Sequence, residues 1–469
     1  MNRERKLIKN TFILSIGTFL PRLTSFIILP ILTGCLTKNE YGSYDLITIL
    51  ASLYLPAITL QIQTAAFRFL IDERNNKQCV KKIVSSIVAF TIIVSLIGVS
   101  VLYIVLYKYD LVLRLLICIY YLIDIINSTL LQISRGLSFN LQYSISALMD
   151  AIFQVVFIIL LVYILRLGIY GAVLTLIIAA GVSIFILLIK TKIYKYCSID
   201  KISKKVIKDL IQYSWPMVPN NMSMWVMRVS DRFVLTFFLG PSANAIYAVA
   251  NKIPNILSQV QNTFTMAWQE NASIFSKDSD IESYYSSMFR VIYDFMAGVL
   301  GLLIAVTPVV FDILIKGDYR EAYVQMPILF CGMFFSCMSS YLGGIYVAYK
   351  KTKSVGLTTF LAAISNIVID LLLILKINIF AASISTMVSY IFLFVFRIID
   401  IRKIVKLEYN AIHMICVIAI LVMECALNYQ QNMVWDVLNL ILASLVFVIL
   451  NLDLLKKVWL YVKNKIKGV

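Results

Sequence analysis

The sequence predicts an all-α integral membrane protein of about fourteen transmembrane helices, with two six-helix lobes around a central cavity and two further C-terminal helices. Three observations predict it. The 469-residue chain is 61% hydrophobic and only 14% charged, and its mean hydropathy is +0.87. That is too apolar for a water-soluble fold of this size and excludes a soluble enzyme. Apolar runs long enough to span a bilayer, which takes ~20 residues each, recur along the whole chain. The Lys and Arg residues fall mainly into alternate gaps between those runs, as the positive-inside rule requires.

The first run covers about 10–36. It is too long and too polar internally for a cleavable signal, and no small-residue cleavage site follows it, so it reads as the first span. Runs follow at about 46–70, 83–107, 111–133, 144–165 and 168–189. A lysine-rich segment then interrupts the pattern. Runs resume at about 213–239, 245–268, 286–314, 324–348, 355–375, 378–398, 411–428 and 433–453. The expected organisation is a lobe over 1–189, a basic connector over 190–212, a second lobe over 213–400, and two helices with a basic tail over 401–469. A short internal echo supports the two halves: Leu36 and Tyr44 after the first run repeat the spacing of Leu239 and Tyr247 after the seventh. Six-helix halves of like orientation imply a two-fold axis along the membrane normal.

With the N-terminus placed in the cytoplasm, 30 of the 42 basic residues fall in cytoplasmic segments, seven in external ones and five within spans. Arg397 is counted among the cytoplasmic thirty. Both termini are therefore expected inside. The net charge of +17 needs no nucleic acid to explain it. No expected external loop exceeds about ten residues, which argues against a polymerase or ligase with a constructed external site. No phosphate-cradling glycine loop is present, which argues against direct ATP use. The eight cysteines are scattered without a CxxC pair, and His413 is the single histidine, so neither a disulfide framework nor a metal site is expected. His413 reads as incidental.

Ionisable residues within spans are costly and mark cavities or partners. Arg22 sits mid-span beside Pro21, with Pro30 eight residues on, and faces either a cavity or a buried structural partner. Arg228 and Arg232 share one helix face, and Asp231 stands three residues from Arg228. They form a local ion pair or a net positive face toward an anion. Lys252, near Pro254, is a further cationic candidate. Arg290 and Asp294 are spaced to satisfy each other. Asp124, Asp150, Asp312, Asp370 and Glu424 read as isolated acids that line a cavity or lie at an interface, and any of them can couple to protons or sodium. Tyrosines near span ends, such as Tyr103, Tyr107 and Tyr109, fit an interfacial belt.

Several segments resemble the polysaccharide-biosynthesis flippases. The specific part is Tyr213-Ser214-Trp215-Pro216-Met217-Val218-Pro219, then Ser230-Asp231-Arg232-Phe233 and Gly240, then Ile246-Tyr247-Ala248-Val249-Ala250-Asn251-Lys252. Glu40-Tyr41-Gly42, Ala66-Phe67-Arg68-Phe69, and Tyr349-Lys350-Lys351-Thr352-Lys353 with Asn366 are similar in the same way. Pro241-Ser242-Ala243-Asn244-Ala245 departs from the pattern, which has a glycine before the isoleucine-tyrosine pair.

The resemblance implies a Wzx-type repeat-unit flippase of the multidrug/oligosaccharidyl-lipid/polysaccharide exporter superfamily. Such a protein is not an enzyme. It moves an undecaprenyl-diphosphate-linked oligosaccharide from the cytoplasmic to the outer leaflet of the bacterial plasma membrane by alternating access. It implies Arg22, Arg68, Arg228, Arg232 and Lys252 as cavity cations for the diphosphate, since guanidinium forks suit phosphate. Asp231, Asp124 and Asp370 are the supporting or coupling candidates. No cofactor is implied, only coupling to a proton or sodium gradient. The implied partners are the lipid-linked oligosaccharide, the bilayer, and the polymerase and chain-length machinery, with a monomer as default. A lipid II-type flippase stays open. So does a drug or metabolite exporter of the same superfamily, although exporters of cations want net acidic spans. The expected orientation is tested by C-terminal fusions: a fluorescent protein lights up and alkaline phosphatase stays inactive. The reverse pattern would refute it.

Overall fold

The structure is a computed structural model that describes residues 24–215, 217–258, 261, 265, 268, 272, 280–349, 351–430, 432–456 and 459. Its contacts divide the chain into two compact units, Met1–Val226 and Met227–Val469. Among the described residues there is no strand.

In the first unit the helices are α1 (Thr24–Cys35), α2 (Lys38–Thr59), α3 (Ile62–Glu73), α4 (Lys77–Val105), α5 (Leu111–Gly136), α6 (Asn140–Ile158), α7 (Gly168–Thr191) and α8 (Lys204–Ser214). Their ends are written in the sequence. Thr37 and Glu40 form a reciprocal capping box that starts α2. Asn76 caps α4, and Asp110 caps α5 by accepting the Leu113 N–H at 3.0 Å. The sequence reading began the second span near residue 46; the box at Thr37 and Glu40 starts its helix at Lys38.

That second span is not straight. α2 and α3 meet at a 60° bend, where Leu60 and Gln61 both adopt left-handed backbone, φ 50° and 61°. Side-chain hydrogen bonds span the bend. Thr59 Oγ1 bonds to Leu55 O at 2.7 Å and to Gln63 Oε1 at 2.8 Å. Thr64 Oγ1 donates to Gln61 Oε1 at 3.0 Å.

Packing within the unit uses small and hydroxyl-bearing residues beside apolar ones. On α4 the buried positions include Ser85, Ser86, Thr91, Ser95 and Gly98, while Ile93, Leu96, Ile97 and Val101 are exposed. Small residues let helices approach, and lipid takes the large apolar ones. A Cβ on Gly136 would stand 2.8 Å from Leu70 Cβ, so α5 meets α3 only because that position is bare. The lysine-rich connector is ordered. Ser203 N donates to Ser86 Oγ at 3.0 Å and Ser198 N to Ser85 Oγ at 2.9 Å. Leu210 of α8 is buried with Ile62, Leu70, Val84 and Leu187.

In the second unit α9 (Met217–Leu239), which starts before the division, leads through Gly240 into α10 (Pro241–Ala250). Then come α11 (Ile281–Leu314), α12 (Arg320–Ala348), α13 (Thr352–Ile377), α14 (Phe380–Ile401), α15 (Ala411–Asn428) and α16 (Met433–Leu450). α12 is the buried centre, packed on α14, α11 and α10.

Ten helices among the described residues are long and apolar enough to cross a bilayer, or eleven if α2 and α3 form one bent span. The fold is all-α and the chain is a multi-pass membrane protein. Of the other expected runs, 10–36 is described only from Thr24, 213–239 becomes α9, and 245–268 is described in part.

Asp110 tests the capping reading. Its carboxylate accepts the Leu113 N–H and the Tyr170 hydroxyl, and the Leu113 bond holds its pKa below the ordinary carboxylate value. Its stabilisation is therefore full at neutral pH and lost as pH falls through that lowered pKa. Thermal unfolding in detergent should show less acid-side loss for Asp110→Asn, which keeps the acceptor. An unchanged acid limb would refute the assignment.

A buried two-carboxylate site in the second unit

Asp231 lies on α9 and Tyr247 on α10, sixteen residues apart. The turn between them rests on Gly240, whose φ of 87° is open to glycine. It brings the Tyr247 hydroxyl to Asp231 Oδ2 at 2.7 Å. From α14, Thr386 Oγ1 donates to the same oxygen at 2.5 Å. From α13, Asn366 Oδ1 accepts from Ser230 Oγ at 3.0 Å, and its Nδ2 reaches Ser385 Oγ at 3.4 Å. Asp370 follows Asn366 by one turn on α13, so the two share a face.

Asp370 is fully buried, and neither of its carboxylate oxygens has a hydrogen-bond partner. Asp231 Oδ1 also has none. The two carboxylates are close enough for their charges to interact. Three buried carboxylate oxygens are thus without a hydrogen-bond partner, as is the Nε of the neighbouring Arg232. Arg232, adjacent to Asp231 and also buried, balances one negative charge. The second must be neutralised by a proton or a cation, because an uncompensated buried charge is strongly disfavoured. Carboxylates, an amide and hydroxyls are all oxygen ligands, which suit a proton or a hard cation. Among the described residues no group of three or more His, Cys, Asp and Glu is placed to hold a metal ion.

The other expected site residues are dispersed. Arg22 lies outside the described residues, and so does the side chain of Arg228 on α9. Arg68 on α3 is half exposed and pairs with Asp72 at 2.6 Å, one turn on. Lys252 follows α10 and is partly buried. Asp124 on α5 is partly buried, and its charge interacts with that of Asp150 on α6, where Gln154 Nε2 donates to Asp150 Oδ2 at 3.2 Å.

Two groups carry more than the sequence reading gave them. His413 Nε2 meets Asp294 Oδ1 at 2.6 Å, closer than Arg290 at 3.8 Å. Arg397 is buried within α14 instead of lying in a loop. It donates to Thr358 Oγ1 at 3.0 Å, Ser339 O at 2.8 Å and Thr359 Oγ1 at 2.9 Å, tying three helices together. The signal was there: Thr386, Ser389, Leu393 and Arg397 recur at helical spacing on one buried face.

The family of polysaccharide biosynthesis proteins matches residues 7–269, more than half of the chain. The chain belongs to that family. The matched stretch holds Asp231, Arg232 and Tyr247 but ends before Asn366 and Asp370. A curated relative of this polysaccharide biosynthesis protein is an uncharacterized membrane protein, MJ1068, of Methanocaldococcus jannaschii. It is 27% identical over 328 residues, 64% of this chain and 62% of the relative's length.

Solved structures share the fold at low identity. The lipid II flippase MurJ, in an inward closed conformation, gives a TM-score of 0.68 at 16% identity, covering 95% of this chain and 99% of its own. An inward-facing multidrug resistance MATE family transporter of the MOP superfamily gives 0.66 at 12% identity, covering 84% and 98%. A MOP superfamily transporter from Pyrococcus furiosus gives 0.55 at 12% identity, covering 84% and 95%. These neighbours are transporters and flippases, and the chain has their fold.

The hydrogen-bond set around Asp231 makes a direct prediction. Tyr247→Phe removes one charge-assisted donor and should destabilise the second unit by ~1.5–3 kcal/mol. Chemical unfolding in detergent measures it, and a change near zero would show that Tyr247 does not hold Asp231.

Proposed function

We propose that this protein carries an undecaprenyl-diphosphate-linked oligosaccharide repeat unit from the cytoplasmic to the outer leaflet of a bacterial plasma membrane by alternating access. The product would feed polysaccharide assembly such as O-antigen, capsule or exopolysaccharide, with a polymerase and chain-length machinery downstream. The family match over residues 7–269 carries this reading. The substrate's diphosphate needs cations, and Arg22, Arg68, Arg228, Arg232 and Lys252 are its proposed contacts. The Asp231–Asp370 cluster is the proposed coupling site, filled by a proton or a sodium ion, and Asp124 beside Asp150 is a second acidic candidate. Its supporting observation is the set of buried carboxylate oxygens that lack a donor.

The test is a deletion strain probed with a membrane-impermeant reagent for outer-leaflet lipid-linked oligosaccharide. Repeat units should accumulate inside, and wild type should restore their delivery. Arg232→Ala should fail to restore it, and Asp370→Asn should lower delivery by about tenfold. Outer-leaflet units without polymer would sink the flippase reading and favour a polymerase or ligase. A second reading has its own support, since the lipid II flippase MurJ shares the fold over 95% of this chain. Accumulation of cell-wall precursor in the deletion strain, with polysaccharide units delivered normally, would establish that one instead.

A further inference from the structure

The C-terminal helix pair holds further buried acceptors without partners, apart from the site above. Glu424 on α15 is fully buried, the one buried glutamate among the described residues. Neither of its carboxylate oxygens has a hydrogen-bond partner. It lies directly against α11: a Cβ at Gly301 would stand 2.6 Å from Glu424 Oε2. Asn439 on α16, also fully buried, spends its amide hydrogens elsewhere. Its Nδ2 donates to the Glu424 backbone carbonyl at 3.0 Å and to Asn428 Oδ1 at 2.8 Å. Asn428 Nδ2 donates to the Ile304 carbonyl. With those donors used, Asn439 Oδ1 has no partner either.

These acceptors are therefore left without donors. Glu424 Oε1 and Oε2 and Asn439 Oδ1 are three acceptors, and the amide donors around them are already engaged. The neighbouring charges do not repair this. On α11, Asp294 lies seven residues from Gly301 and is held by His413 of α15 at 2.6 Å, with Arg290 at 3.8 Å. On α16, Asp436 is itself acidic and its charge interacts with that of Asp312 on α11. From α12, Cys331 brings a thiol near Cys425, the residue after Glu424. Among the described residues no cation is paired with Glu424.

We infer that Glu424 is a proton-binding site within the membrane, occupied at neutral pH. A proton on the carboxyl removes the charge, and with it the largest cost of burying a group that has no partner. A metal cation fits less well. Among the described residues no group of three or more His, Cys, Asp and Glu is placed to hold one, and the flanking backbone carbonyls are engaged in helices. The packing of α15 and α16 on α11 is then conditional on that proton. Its loss would put an unpaired charge against Gly301 and push the helix pair away.

The experiment uses the full-length protein purified in detergent. Wild type labelled with ¹³C-glutamate should show, at neutral pH, an isotope-shifted carbonyl stretch of a protonated carboxyl. Glu424→Gln, which mimics the protonated state, should lack it. Wild type should lose thermal stability as pH rises through the site's titration, by about 3 °C, while Glu424→Gln does not. Absence of the protonated band in wild type would overturn the proposal, and this holds even if the variant fails to fold. Identical pH profiles for the two proteins would also overturn it. So would loss of the band when sodium replaces potassium, which would make this a metal-cation site.

Discussion

Hydrocarbon offers no hydrogen bonds, so every polar group that enters it must find a partner within the chain. Most of this molecule's local detail follows from that constraint. Where the second span breaks at Leu60 and Gln61, Thr59 and Thr64 close the gap. Where α5 and α7 carry Asn127 and Ser183, the two bond at 3.0 Å. Where α14 carries a guanidinium into the interior, carbonyls and threonine hydroxyls from α12 and α13 receive it. Against that background the unmet groups stand out. Asp231 Oδ1, both oxygens of Asp370, both of Glu424 and Oδ1 of Asn439 are buried acceptors without donors. Carboxylates are the costliest of the unmet groups to bury, which is why these positions carry the proposed proton and cation sites.

The same constraint shapes packing. Apolar side chains gain nothing from one another that lipid does not also offer, so the helices meet through small and hydroxyl-bearing residues. Gly98 meets Tyr54, Gly136 meets Leu70, and Gly301 meets Glu424. The large residues of α4 face outward. Small and hydroxyl-bearing residues thus share the buried faces with large apolar ones such as Phe289 and Phe330.

Charge sign decides how the second unit's site works. The Asp231–Arg232 pair is neutral in sum, and Asp370 adds one negative charge in a region without exposure to water. Taking up one positive charge makes the cluster neutral, and releasing it restores the penalty. In the proposed coupling role that differential would link occupancy to conformation, because a ligand shifts an equilibrium only through unequal affinity for its states.

The sequence by itself determined the class of the molecule. Apolar runs, alternating basic gaps and the Ser230-Asp231-Arg232 to Tyr247 block suffice for an all-α membrane protein of the polysaccharide biosynthesis family. Those features are local: a span is a run of residues, and a charge bias is a count. It also named Asp231 and Asp370 as candidates, since a carboxylate inside an apolar run is visible one residue at a time. What only tertiary structure decided is which of those groups meet. Asp231 and Asp370 are 139 positions apart in the numbering of this chain, and helix packing alone makes them neighbours. The pairing of His413 with Asp294, the partners of Arg397 and the stranding of Glu424 against Gly301 are likewise facts of packing. Partnership across helices depends on rotation and approach, and neither is encoded in the spacing of residues along one helix.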